Sequence, residues 1–352
     1  MRHFSSYGPV DPEEHFFVER RPLVERLTAQ LVGSPDKGGH YFTLYAPRQA
    51  GKTWLMRRAA EEIRARYGDR FEVLVLSMQE VLVRDDERAG DRFAERLQPL
   101  LEIALGRPVP RLESLEDWKR LFLRTGVFER PVILFIDEFD SLPRVLIDEL
   151  VALFRGMYLN RQAYRLHGLV LVGVRAVLGV DSPRGSPFNI QRSMRVPNLT
   201  RAEVEELFRQ YQEESGQVVE PEVVGAVFDA VRGQPGLTCW FGELLTEKYN
   251  EDPTRPIGMK QWQLVEMYAR QAERNNNILN LIIKARKPYR QQVLELFVKP
   301  DVPYEVWQPW VDYLELNGII TSEPRTDAFG KTELVCRLAS PFVQRCIYEA
   351  FS

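Results

Sequence analysis

Short apolar runs alternate, through the first half of the chain, with stretches that are apolar at every third or fourth position. Tyr41-Phe42-Thr43-Leu44-Tyr45, residues 71–78, Val132-Ile133-Leu134-Phe135-Ile136 and residues 168–174 are the runs, with Met194-Arg195-Val196 as a shorter last one. Apolar runs of this length predict strands, and the unbroken run from Val132 to Ile136 predicts one covered on both faces. Between them, helical spacing predicts helices from Phe16 through Leu31, from Lys52 onward, over 91–105 and 115–125, and through Leu146, Leu150, Leu153, Phe154 and Met157. Strands alternating with helices give a parallel α/β sheet with both faces covered.

From Thr200 the pattern turns helical. Thr200-Arg201-Ala202-Glu203 has the form of a capping box, and Val204, Leu207, Phe208 and Tyr211 follow at helical spacing. A second helix runs over 221–232 until Gly233-Gln234-Pro235-Gly236, and a third passes through Trp240, Leu244 and Leu245. A long helix is expected over 260–284. Residues 288–352 read as helix, turn, helix, two short strands and a last helix, the plan of a winged helix. The expected domains are 1–199, a nucleotide-binding core; 200–284, a helical lid and linker helix; and 285–352, the small α+β winged helix.

The first run ends in Ala46-Pro47-Arg48-Gln49-Ala50-Gly51-Lys52-Thr53, followed by Trp54. This is the pattern of a loop whose bare backbone turns N–H groups toward phosphate oxygens at a helix N-terminus. Lys52 is expected on the β- and γ-phosphates and the Thr53 hydroxyl on Mg²⁺. The carboxylate run ends in Asp137-Glu138. Ligands of parallel sheets sit at the carboxyl ends of the strands, so both carboxylates should face the loop. Asp137 is expected to hold Mg²⁺ through its water shell, and Glu138 to orient or deprotonate the attacking water. The implied chemistry is the binding of a nucleoside triphosphate, with hydrolysis of its terminal phosphate.

The ordered set Phe17-Val18-Glu19-Arg20-Arg21, Ala46 to Thr53, Ile136-Asp137-Glu138, Ser186-Pro187-Phe188-Asn189-Ile190 and Gly233-Gln234-Pro235 resembles the AAA-like STAND ATPases of prokaryotes. These are relatives of archaeal-type and origin-recognition ATPases. The resemblance spans nearly the whole chain and implies a nucleotide-controlled switch of P-loop core, helical lid and winged helix. It implies that Pro235 packs on adenine, that Val18 lines the same pocket, and that Arg175 reads the γ-phosphate. Pro235 between glycines also serves as a helix stop, and Arg175 also reads as an ordinary strand-end arginine. Glu19-Arg20-Arg21 stands where the family more usually has Gly-Arg-Glu. Arg155, Arg161 and Arg165 suit either an arginine finger or a solvated helix face.

Bulk properties narrow the rest. The chain has 352 residues, 44% hydrophobic and 28% charged, with a formal net charge of −3. That balance gives no overall attraction to nucleic acid or anionic membrane. The N-terminal residues lack an apolar core, and the best membrane candidate, 166–180, is short and carries Arg175. Cys239, Cys336 and Cys346 have no metal-ligand spacing, which is expected of reduced thiols in a cytoplasmic protein. Residues 304–317, the expected recognition helix, hold Glu305, Asp312 and Glu315 with no Lys or Arg. DNA binding through that helix is therefore disfavoured against burial, self-association or a protein partner. A winged-helix DNA-binding ATPase and a nucleotide-locked scaffold with little hydrolysis are the alternatives to the switch.

Overall fold

The computed structural model of the chain describes residues 1–83, 86, 88–173, 193–326 and 330–352. These divide into two compact units. One comprises Met1–Glu19, Ala46–Gly51 and Pro197–Ser352, the other Arg20–Tyr45 and Lys52–Val196.

The second unit is built on β1 (Tyr41–Tyr45), β2 (Glu72–Ser77), β3 (Val132–Asp137), β4 (Leu166–Gly173) and β5 (Met194–Arg195), in the order β2-β3-β4-β1-β5. Every pairing is parallel. All of β3 and β4 is buried, Asp137 and His167 included, as expected of strands whose apolar runs are covered on both faces. Side chains alternate between faces. Leu74, Leu76, Leu134, Ile136, Leu169 and Leu171 pack with α3 (Ala89–Leu105), α4 (Leu115–Leu121) and α5 (Arg144–Leu159). The opposite face meets α1 (Arg21–Val32) and α2 (Lys52–Tyr67). Strand β4 lies between β3 and β1, with Ile136 opposite Leu171 and Tyr45 opposite Gly173. The carboxyl ends of β1 and β3 thus finish at nearly one level.

The first unit contains α6 (Arg201–Ser215), α7 (Pro221–Val231), α8 (Pro235–Glu243), α9 (Met259–Gln271), α10 (Asn276–Arg286), α11 (Arg290–Val298), α12 (Pro309–Leu316) and α13 (Pro341–Phe351). A π-helical turn, Leu244–Lys248, continues α8. The antiparallel hairpin β6 (Ile320–Thr326) and β7 (Thr332–Leu338) fits a winged-helix-like arrangement. The capping box at Thr200 forms: its hydroxyl accepts from the Glu203 N–H, and the Glu203 carboxylate accepts from the Thr200 N–H. One apolar core runs through this unit, from Phe4 and Phe16 through Phe208 and Phe241 to Phe342 and Ile347. Among the described residues no helix is long and apolar enough to cross a membrane.

The helix expected over 115–125 stops at Leu121, and three others differ further from the sequence reading. The first begins at Arg21, not Phe16, because Arg20 is left-handed at φ 51° and Pro22 tolerates only the first turn. The expected 260–284 helix is two. Asn275 interrupts it, its Oδ1 accepting from the N–H groups of Asn277 and Ile278 at 2.9 and 3.1 Å. The helix expected over 304–317 is confined to Pro309–Leu316, with proline at its first position and the preceding residue extended. Within it Val311 and Leu314 are buried, while Trp307 lies outside it and is 75% exposed.

Candidate nucleotide site

In the sheet unit, Lys52 and Thr53 open α2 directly after the glycine-bearing loop, and Lys52 is buried. The Thr53 hydroxyl donates to Oδ2 of Asp137 at 2.7 Å. The other carboxylate oxygen, Oδ1, accepts the backbone N–H of Glu138 at 2.9 Å, so both oxygens are held. Asp137 is only 5% exposed. A buried carboxylate touching a hydroxyl is a pair of hard oxygen donors, and it fits Mg²⁺, which takes few protein ligands and keeps several waters. Glu138 follows in left-handed backbone at φ 52°, which bends the chain out of β3 and into a turn of 3₁₀ helix, Phe139–Ser141. Its side chain is half-buried. Trp54 is buried, with the Arg58 guanidinium 5.5 Å from its ring centroid.

In the other unit, Ala46 and Ala50 are buried and Arg48 is exposed. Gln49 and Gly51 both have positive φ, 57° and 83°. Left-handed residues interleaved with right-handed ones curl successive N–H groups into an anion-receiving concavity. Gly51 can hold that φ without strain because it has no Cβ. The outer side of this loop meets the turn before α8. Gln234 Nε2 donates to the carbonyls of Arg48 at 3.1 Å and Gln49 at 3.3 Å, and the Gly236 N–H donates to the Gln49 carbonyl at 3.0 Å. Gln49 Nε2 in turn donates to the Ser6 carbonyl at 3.2 Å. Gly318, at φ +75°, sits so close to Pro47 that a Cβ there would lie 2.9 Å from the proline Cβ.

Pro235 is the first residue of α8 and partly exposed, so Gly233-Gln234-Pro235 both ends α7 and starts the next helix. Val18 is partly buried against the core of the same unit. Arg175 and the 186–190 segment lie outside the described residues. Arg155 is on α5 and half-buried, whereas Arg161 stacks on Tyr158 at 4.2 Å and donates to the carbonyls of Lys37 and Gly39. The sequence reading takes Gln234 and Gly236 only as parts of a helix-ending turn and of the resemblance, with no contact to the loop at Ala46–Gly51. A residue ahead of a first-turn proline signals a cap, but its contact with a loop far away in sequence does not show in local pattern.

No family model matches the chain, and no curated protein matches it in sequence. Solved structures do. A Walker-type ATPase of Pyrococcus abyssi is 18% identical, with 98% of this chain and 99% of that chain covered and a TM-score of 0.56. The RuvB Holliday junction branch migration motor of Thermotoga maritima is 17% identical, covering 92% and 94%, at a TM-score of 0.46. The Orc1 protein of Aeropyrum pernix, in complex with DNA, is 13% identical, covering 94% and 92%, at 0.47. At such identity the likeness speaks to fold. The chain has the P-loop NTPase α/β fold, which it shares with the Walker-type ATPase of Pyrococcus abyssi.

Proposed function

We propose that the chain binds ATP with Mg²⁺ and hydrolyses it to ADP, as a nucleotide-controlled switch of the AAA-like, STAND type. The observation that carries this reading is the Thr53 hydroxyl on the Asp137 carboxylate at 2.7 Å, at the end of a fully buried strand. Mg²⁺, when bound, offsets negative charge on the β- and γ-phosphates. Thr53 and Asp137 would hold it, and Lys52 would supply positive charge to the same phosphates. Glu138 accepts the proton of the attacking water. Val18, Pro235 and the loop from Ala46 to Thr53, with Trp54, make up the remaining nucleotide contacts. Arg175, two residues beyond the end of β4 in sequence, reads the γ-phosphate. Domains 1–199, 200–284 and 285–352 are the moving parts in this reading, in the cytoplasm.

Isothermal titration with ATP and Mg²⁺ tests the site. Lys52→Ala should abolish binding, and unchanged affinity in that variant would sink the assignment. Glu138→Gln should keep binding while hydrolysis slows by about two to four orders of magnitude. Equal rates would leave a nucleotide-locked scaffold as the better account. In the same titrations Arg175→Ala should weaken ATP more than ADP, since only a contact made to one nucleotide can bias a switch. Equal losses would return Arg175 to an ordinary strand-end role.

The partner in this reading is a protein or a second copy, not DNA through α12. That helix carries Asp312 and Glu315 and no Lys or Arg, so it offers duplex phosphates no cation. A salt-sensitive DNA complex lost on mutating α12 would reverse this.

A further inference from the structure

The loop from Ala46 to Gly51 owes part of its shape to a side chain far from it in sequence. A trans peptide carries its N–H opposite its carbonyl. Whatever grips the carbonyls of Arg48 and Gln49 from one side therefore aims the N–H groups of Gln49 and Ala50 toward the other. Three hydrogen bonds grip them: Gln234 Nε2 donates to both carbonyls and the Gly236 N–H to the second. The grip is close. A Cβ at Gly236 would lie 2.5 to 3.0 Å from the Gln49 side chain, its own Cβ included, so only glycine lets α8 approach this far. Gln234 is itself fixed, because its Oε1 caps α8 by accepting the Leu237 N–H at 2.5 Å. One amide thus spends its oxygen on the helix and its nitrogen on the loop. The turn behind it is equally constrained: Gly233 is left-handed, and a Cβ there would meet the Leu199 carbonyl at 1.9 Å.

We propose that Gln234 is a positioning residue for nucleotide binding, holding the phosphate loop from behind so that its N–H groups stay turned toward an anion. This rests on the reading of Ala46 to Thr53 as the phosphate site. Gln49 is left-handed without being glycine, a conformation that the surroundings must hold. The two carbonyl contacts and the Gly236 N–H are what hold it.

The two halves of the amide can be separated. Gln234→Ser keeps an acceptor suited to a helix N-cap but is too short to reach the loop carbonyls. Gln234→Glu keeps length and cap but sets a carboxylate against two carbonyl oxygens. The experiment titrates ATP and Mg²⁺ into the full chain, wild type, both Gln234 variants and Lys52→Ala, and records the thermal midpoint of each without nucleotide. Gln234→Ser should bind ATP about tenfold more weakly, as expected for two lost hydrogen bonds, with an unchanged nucleotide-free midpoint. Gln234→Glu should lose more. Amide exchange over 46–51, followed without nucleotide, should quicken in both variants while α8 stays protected. Wild-type affinity and wild-type exchange in the Gln234 variants, with Lys52→Ala unable to bind, would overturn the positioning role alone. A wild type that binds no nucleotide, or binds it as well as Lys52→Ala does, would overturn the reading of the site beneath it. A Gln234→Ser variant whose midpoint falls in step with affinity, with α8 losing protection, would make Gln234 a structural cap only.

Discussion

His167 shows how far a single buried side chain can tie this fold to pH. It lies in β4, its Nε2 2.7 Å from the Val32 carbonyl, which requires the neutral ring to carry its proton there. Burial pushes its pKa below the usual histidine value, and the charges of Arg161 and Arg70 push the same way, against the carbonyl's opposite pull. A base with a depressed folded pKa takes up its proton more readily when unfolded. Its contribution to stability is therefore complete above the unfolded pKa, about 6.5, and is lost as pH falls through the folded value. His167→Gln keeps a donor for Val32 and removes the titration. Chemical denaturation between neutral and mildly acidic pH should show a shallower acid-side decline in the variant, and identical slopes would exclude the link. The three thiols behave consistently with burial too: Cys336 is pushed up to about 11, Cys239 and Cys346 to about 12, so all stay protonated at neutral pH.

Elements were legible where one local signal dominates. The buried strands declare themselves because β3 and β4 need apolar residues on both faces, and the α6 start because Thr200 and Glu203 satisfy each other's backbone. Helix boundaries were harder where a conformation is imposed from outside. Nothing local in Glu19-Arg20-Arg21 forces Arg20 to φ 51°, yet that one residue moves the start of α1. Asn275 was a readable signal that helical periodicity on both sides obscured. Its cap predicts a measurable cost. Asn275→Ala leaves the N–H groups of two buried residues, Asn277 and Ile278, without their acceptor. The loss should be about 1–2 kcal/mol in urea denaturation, with most of it recovered in Asn275→Ser. Equal stability of all three proteins would show that α9 and α10 are separated by something other than this cap. Within the candidate site, Ala46 to Thr53 and Asp137-Glu138 were legible because phosphate and Mg²⁺ chemistry fixes residue types at fixed spacing. Gln234 was not, since its work depends on a loop nearly two hundred positions earlier meeting the start of α8.

At the scale of the molecule, the first nineteen residues belong by contact with the C-terminal half of the chain. Phe4 is the reason. It is 1% exposed, with the rings of Phe16 and Phe208 5.1 and 5.0 Å away and that of Tyr211 at 6.2 Å. A Cβ at Gly242 would lie 2.3 Å from its ring, so α8 has kept a bare face to receive it. Phe4→Ala should cost about 3–5 kcal/mol in the cooperative unfolding of that unit, the range for deleting a buried phenyl ring. A cost below about 1 kcal/mol would mean the arm packs there without supporting the core. The closeness of Gly318 to Pro47 has a consequence of another kind, for how this sequence can drift. A side chain at 318 is opposed twice, by left-handed backbone and by the proline ring. Exchange of Pro47 for glycine lifts only the second obstacle, since the nearest proline atom is its Cβ. Position 47 can therefore change while 318 stays glycine, whereas 318 gains nothing by changing first. Substitutions in the hairpin's approach and in the phosphate loop should then accumulate in one order and not the other, although the two lie at opposite ends of the chain.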